Sequence, residues 1–378
     1  MTIDAPTSLG SITCPSGRLV VADTGYLNLW SGDAPPAVDE VMLSAVDDPA
    51  LRESIRASVD LAVVGPDAET AARSFNRQPG TWLYDIPGHG VEQLVGVFAE
   101  HCQAHGFDAW LERQEPRVAH RERVEHAVWA GGSEFIMNGV PVVAIGGLPT
   151  DQEIVVTATS RDYGDIGVRW ESVTLRMRST QPTSTRLLGH VGVDAARLSL
   201  IDADGLASWR HEEPIDGLAD VAFWGRSVQE AALSFGASLL THPGEEGVYG
   251  WADLPVSEAV DRAVALQEWK QGVAERMIAI DFRPHSHHWQ IMAQVRAAKH
   301  EAGTIEVGGT RTMCFMTSWG MGSSLSLPTT TPTGTLCKSG SCLETRNVKL
   351  NLRRCTTGSA WTDHHHGRPL KVERAWSV

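Results

Sequence analysis

The sequence predicts an α+β protein: a largely antiparallel sheet with a few packed helices and a disordered or aberrant C-terminal tail. Three observations predict it. From Glu134 onward, short runs alternate apolar and polar residues between Gly, Asp and Pro turns, the period of two that belongs to half-buried strands. Val91, Leu94, Val95, Phe98 and Cys102 recur at spacings of three and four, one apolar stripe of a helix. After Gly320 neither period survives.

Taken in order, SITCPSGRLVVADTGYLNLW alternates and ends in turn residues, which predicts a strand pair from Ile12 to Leu29. DDPALRESIRASVDLAVVG reads as a helix starting near Asp48, then a strand from Leu61 to Val64 halted by Gly65-Pro66. Asp67 caps a short helix to Phe75, and Thr81 to Pro87 is another strand. The Val91 helix ends at Gly106, whose tolerance of positive φ suits a C-terminal cap, and a charged helix follows from Arg117 to Val128. EFIMNGVPVVAIG, EIVVTATS, GVRWESVTLRM and RLLGHVGVDAARLSLID are strands, and Arg226 to Phe235 is a helix. A helix from Ser257 to Glu275 takes Ser257 as its N-cap and sets Glu258 four residues before Arg262 for an ion pair.

The last regular stretches are MIAIDF, HHWQIMAQVRA and the hairpin TIEV-GG-TRTMCFM, with Gly308-Gly309 as a two-residue turn. In HHWQIMAQVRA, Trp289, Ile291, Ala293 and Val295 alternate with His288, Gln290, Met292 and Gln294, a strand with one wet face. No repeat at a fixed period is evident. The organisation that follows is a mixed α/β region over 1–130, a strand-rich α+β domain over 131–320 and a low-complexity tail over 321–378.

Composition narrows the function classes. A net charge of −14 repels phosphate backbones, so direct nucleic-acid binding is not expected and a protein is the expected partner. No apolar run approaches the roughly 20 residues that span a bilayer, and MTIDAPTSLGS has neither a basic nor an apolar leader region, so a cytoplasmic protein without membrane insertion is expected. Only five of the 32 basic residues are lysine, the usage of a GC-rich bacterial genome such as an actinobacterium's. Cys14, Cys102, Cys314, Cys337, Cys342 and Cys355 lack paired spacing and read as free thiols.

The tail differs from the body. From Met321 to Val378 eight Lys/Arg stand against three Asp/Glu, a charge of +5 beside −19 for the preceding 320 residues. SSLSLPTTTPTGT is linker-like, and the remainder, through TDHHHGRP, shows no period. If Gly320 is encoded GGG and Met321 ATG, a one-base change of frame gives GDGEFPVFADYDADGHFVQVRVV, which alternates and carries a D-A-D-G turn. A disordered tail and a frame change are both consistent with this pattern.

PSGRLVVAD (Pro15 to Asp23), GVDAARLSLIDAD (Gly192 to Asp204) and CFMTSWG (Cys314 to Gly320) resemble, in that order, landmarks of a bacterial domain family of unknown function: SGR-x-V-x-x-D, G-V-D-x-G-x-x-x-x-x-D and W-G-D-G-x-[FY]-P-V. The resemblance puts Asp23, Asp194, Asp202, Trp319 and Gly320 on matching positions; Ala196 stands where the family has glycine and Met321 where it has aspartate. It implies no activity.

The densest chemistry lies in IDFRPHSHHWQ. In an extended segment His285 and His287 share a face with Trp289, and Asp281 closes a set able to hold zinc for metal-assisted hydrolysis; either histidine also suits general acid/base work. The alternative is edge histidines with satisfied hydrogen bonds and no cofactor. His101 and His105, in E-H-x-x-x-H rather than H-E-x-x-H order, read as surface residues, and Asp194, Asp202 and Asp204 as turn caps. The run His364 to His366 carries weight only if the tail is in frame. Phosphate-loop, dinucleotide and G-x-S-x-G signatures are missing, which leaves an accessory or regulatory protein that influences the expression of neighbouring genes as the leading expectation, a metal-assisted hydrolase as the rival and a partner-binding module as the third.

Overall fold

RLVVAD and RLSLID, residues Arg18–Asp23 and Arg197–Asp202, are buried along nearly their whole length, because they pair at the centre of a sheet that has a core on both faces. The computed structural model describes residues 6–38, 40–75, 78, 80–164, 167–177, 184–241 and 246–317, with strands at 324–325, 348–353 and 368–376. The first half runs β1 (Thr7–Ile12), β2 (Arg18–Asp23), α1 (Glu40–Ser44), α2 (Pro49–Arg56), β3 (Val59–Val64), α3 (Ala68–Phe75), β4 (Trp82–Ile86), α4 (Val91–His105), β5 (Trp110–Gln114), α5 (His120–Trp129), β6 (Ser133–Met137) and β7 (Val140–Gly146). Strands β8 (Ile154–Asp162), β9 (Val168–Arg176) and β10 (Ser184–Val193) lead to the second half. That half runs β11 (Arg197–Asp202), β12 (Leu218–Trp224), α6 (Val228–Phe235), β13 (Ser238–Leu239), β14 (Tyr249–Pro255), α7 (Val256–Gln271), β15 (Ala279–Pro284), α8 (His287–Ala297), β16 (Ala302–Val307) and β17 (Thr310–Met316). Beyond it lie β18 (Ser324–Leu325), β19 (Val348–Arg353) and β20 (Arg368–Trp376).

The class is α+β, and every strand pairing among the described residues is antiparallel. The central sheet is ordered β16-β17-β11-β2-β7-β6. One face packs Leu19, Val21, Leu198, Leu200 and Phe315 against Ile154, Val156, Val173 and Leu175 of an outer sheet, β1-β8-β9-β19-β20-β10. The other face packs Val20, Ala22, Ile201 and Phe135 against α5 and α8 through Val124, Ala127, Ile291 and Val295. Each fully buried aliphatic contributes about 1.5–3 kcal/mol, so this two-sided core holds the molecule together. Two small sheets flank it: β4-β3-β5, covered by α3 and α4, and β13-β14-β12-β15, covered by α6 and α7. No described helix is long and apolar enough to cross a membrane.

The two halves are copies of one plan. Across the β2/β11 seam Val21 faces Leu200, while Asp23 faces Leu198 and Leu19 faces Asp202, so a pseudo-two-fold axis passes between Val21 and Leu200. Both small sheets order their strands alike, and β3 and β12 slip register at the same place, between Val59 and Leu61 and between Ala219 and Val221. The sequences agree there: DLAVVGPDAETAARSF (60–75) beside DVAFWGRSVQEAALSF (220–235). Gly65 and Gly225, at φ 116° and 128°, let the chain pass against the backbone of Asp108 and Met277, where a Cβ would approach each carbonyl oxygen to 2.5 Å. Loop lengths differ between the copies, so Asp23 matches Asp202 but Asp60 matches Asp220, and no fixed period results.

Several expectations change. β1 and β2 do not pair with one another: β1 pairs with β8, β2 lies between β7 and β11, and Thr24–Leu29 is a 3-10 turn. The sheets therefore cross the sequence boundary at 130. HHWQIMAQVRA is a helix, because Ser286 caps the Trp289 N–H and because Ile291, Met292 and Val295, the residues it buries, fit a helical period. Ser257 lies inside α7, which starts after Pro255 without a side-chain cap, although the Glu258–Arg262 pair forms at 2.6 Å. In the tail, β18, β19 and β20 are regular structure where none is expected. β19 pairs with β9 and β20 with β10 through backbone hydrogen bonds, which need no alternation of side chains. Trp319, Gly320, His364 to His366, Cys337, Cys342 and Cys355 lie outside the described residues; Cys14, Cys102 and Cys314 are buried free thiols.

Candidate functional site

The turn from β15 into α8 holds His285 in place from both sides of its peptide. Its N–H donates to Leu218 O at 3.0 Å, and its carbonyl accepts the Ile215 N–H at 3.0 Å. The imidazole stands among carboxylates: Nδ1 is 2.9 Å from Asp216 Oδ2, Nε2 is 3.0 Å from Asp220 Oδ1, and Asp253 Oδ1 is 3.8 Å from Nε2. Burial lowers the affinity of His285 for its proton, yet Asp220 and Asp216 outweigh it and hold the pKa above the ordinary histidine value. Asp220 sits at the β12 bulge, where its Oδ1 also accepts the N–H of Asp253 at 2.9 Å. Asp253 has φ 55°, a left-handed conformation that aspartate tolerates better than most residues.

The expected set of Asp281, His285 and His287 does not assemble. Asp281 pairs with Arg283 at 3.2 Å, and His287 opens α8, where its Nδ1 accepts the Arg210 N–H at 2.9 Å and its ring stacks on Trp209 at 5.7 Å. The physical reason is the Ser286 cap: a helix begins where a strand is expected, so His285 and His287 no longer share a face. Burial and then Arg210 lower the pKa of His287. His288 lies against His211 in a tilted pair with ring centroids 4.1 Å apart, and burial pushes their imidazoles down to about 3 and about 4. Among the described residues the group with metal-ligand spacing is Asp220, Asp253 and His285, with ligand atoms within 4.8 Å of one another. Sequence reasoning finds His285 and misses its three partners.

The first half shows the same place filled differently. Asp60 and Asp85 match Asp220 and Asp253: Asp85 has φ 54° and donates its N–H to Asp60 Oδ1 at 2.8 Å. Here Arg123 of α5 lies fully buried across both carboxylates, 2.9 Å from Asp60 Oδ2 and 2.9 Å from Asp85 Oδ1, and donates to Val118 O and Ile136 O as well. Arg117 adds a second guanidinium, 3.1 Å from Asp85. Burial opposes ionisation of Asp85, but these charges hold its carboxyl below the ordinary aspartate value. The helix registers confirm the match, since His120 begins α5 as His287 begins α8: it accepts the Ser31 N–H at 3.0 Å and lies against Trp30 with ring centroids 5.8 Å apart.

The landmark aspartates are caps. Asp23 accepts N–H donors from Gly25, Asp194 and Ala195, at 2.8, 2.6 and 2.7 Å, and burial pushes its carboxyl up to about 6 despite them. Asp202, its counterpart, accepts from Ser16, Asp204 and Gly205. Each thus ties the turn that precedes its partner strand, across the axis. Asp194 accepts the Tyr26 hydroxyl at 3.2 Å, and Asp204 pairs with Arg18 and Arg121. His101 and His105 lie together on the α4 surface with ring centroids 4.3 Å apart. No protein-family model, curated protein or solved structure matches this chain.

Proposed function

We propose that the protein is a non-catalytic accessory or regulatory protein of the bacterial cytoplasm that works by binding a protein partner. The observation that carries this reading is repeated in both halves. Each sets a tryptophan at the same outer corner of its small sheet, Trp110 opposite Val64 and Trp224 opposite Ala279, and leaves it exposed, at 52% and 39%. Met277, beside Gly225 at the second corner, is exposed too. Exposed indoles with apolar neighbours are favoured anchors of protein interfaces. The acidic charge argues against nucleic acid.

Deleting the gene in its native host is expected to change transcript levels of the neighbouring genes. Wild-type protein should restore them, and a Trp110→Ala/Trp224→Ala variant that melts normally should not. Identical transcripts with and without the gene would overturn the proposal.

A further inference from the structure

We propose that Asp220, Asp253 and His285 form a divalent-cation site, in which a metal ion takes the place that the Arg123 guanidinium occupies in the first half. The matching registers carry the argument. Asp60 and Asp85 are bridged by Arg123 and supported by Arg117. Counting from His120 and His287, the second half has exposed Gln290 where Arg123 stands and Pro284 where Arg117 stands. Both guanidiniums are gone while both aspartates remain, and Asp216 brings a third carboxylate to the same imidazole. The nearby guanidinium of Arg283 bonds to Asp281.

The geometry of the histidine fits a ligand. Metal-bound imidazoles characteristically donate their second ring N–H to a carboxylate, the relation of Nδ1 to Asp216. Nε2 faces Asp220 and Asp253, so a cation there meets one nitrogen and two carboxylate oxygens, a set suited to first-row divalent ions such as Mn²⁺, Co²⁺ or Zn²⁺. Binding replaces the Nε2 proton, which leaves to solvent, and makes no other covalent change. Asp253 is 77% exposed, which leaves open positions for water. The site lies on the β12 stretch before the exposed Trp224 corner and is independent of the partner-binding reading.

Titration of the full-length, metal-stripped protein with Co²⁺, followed by its visible ligand-field bands and by Zn²⁺ competition against a chromophoric chelator, is expected to show one equivalent per chain. Asp253→Asn, at an exposed position where asparagine tolerates the left-handed backbone, and His285→Ala should each abolish that equivalent. Asp216→Asn should weaken it about 10–100-fold. A His364→Ala/His365→Ala/His366→Ala variant should keep it. Unchanged binding in correctly melting Asp253→Asn and His285→Ala proteins, or loss of binding in the triple variant alone, would overturn the proposal.

Discussion

Arg123 is the residue on which the first half turns. Its fully buried guanidinium makes bonds to two carboxylates and two carbonyls, and lies 4.5 Å over the Tyr84 ring. Two effects compete: desolvation penalises all three charges, while the pairing cancels most of that cost only if every member is present. Arg123→Met should therefore cost about 3–5 kcal/mol in urea unfolding, because it leaves Asp60 and Asp85 buried with one guanidinium fewer. The pH dependence gives a second reading. In the wild type the two carboxyls shift in opposite directions. Asp85 is held below its ordinary value of 3.8, so its contribution is complete above that pH and is lost as pH falls through the lower folded value. At Asp60 burial outweighs Arg123 and holds the carboxyl above its ordinary value, an effect of opposite sign that removal of Arg123 enlarges. In the variant burial dominates and raises the buried carboxyls, so stability should rise as pH is lowered from 7 towards 4. A variant equally stable at both would show that the pair is not electrostatically coupled. None of this was legible in HRERVEHAVW, which reads only as a charged helix. Likewise His285 stands out by residue type, but Asp220 and Asp216 come from 65 and 69 residues away, and only the fold brings them together.

At the scale of elements, legibility followed local signals. α4 declared itself by its stripe and by Gly106, which is left-handed at φ 72° as a C-cap requires. The hairpin of β16 and β17 was given by Gly308-Gly309, at φ 58° and 76°. α8 was misread because eleven residues of mixed polarity satisfy both periods in part, and the deciding signal was the small cap Ser286. The strand-to-helix corners after β3 and β12 were visible as Gly65 and Gly225, but not as a matched pair. Gly225→Ala should destabilise by about 1–3 kcal/mol, since a Cβ there meets strained φ and the Met277 carbonyl together. Gly106→Ala, with nothing within 4 Å of the added methyl, should cost only about 1 kcal/mol. Equal losses in thermal melts would mean that the close approach at Gly225 is unimportant.

At the scale of the molecule, the outer sheet follows the axis imperfectly. From one edge β1, β8 and β9 stand in chain order; from the other, β10 is followed by β20 and then β19. The tail thus fills the space between β9 and β10, although its composition gave no sign of strands. Ending the chain after Thr317 should uncover both edges and cause concentration-dependent self-association, measurable by light scattering on a sizing column. A monomer of unchanged melting temperature would show that the edges need no cover. The doubled plan was hidden because loops of different length shift the offset between matching residues.

That doubling also changes what mutation can do. In a homodimer every substitution arrives twice, once on each side of the axis, so its two sites must stay alike. Here both sides belong to one polypeptide, and a codon altered in one leaves the other untouched. One aspartate pair holds a buried guanidinium as its internal counter-ion, while its twin meets an imidazole at a place that solvent reaches.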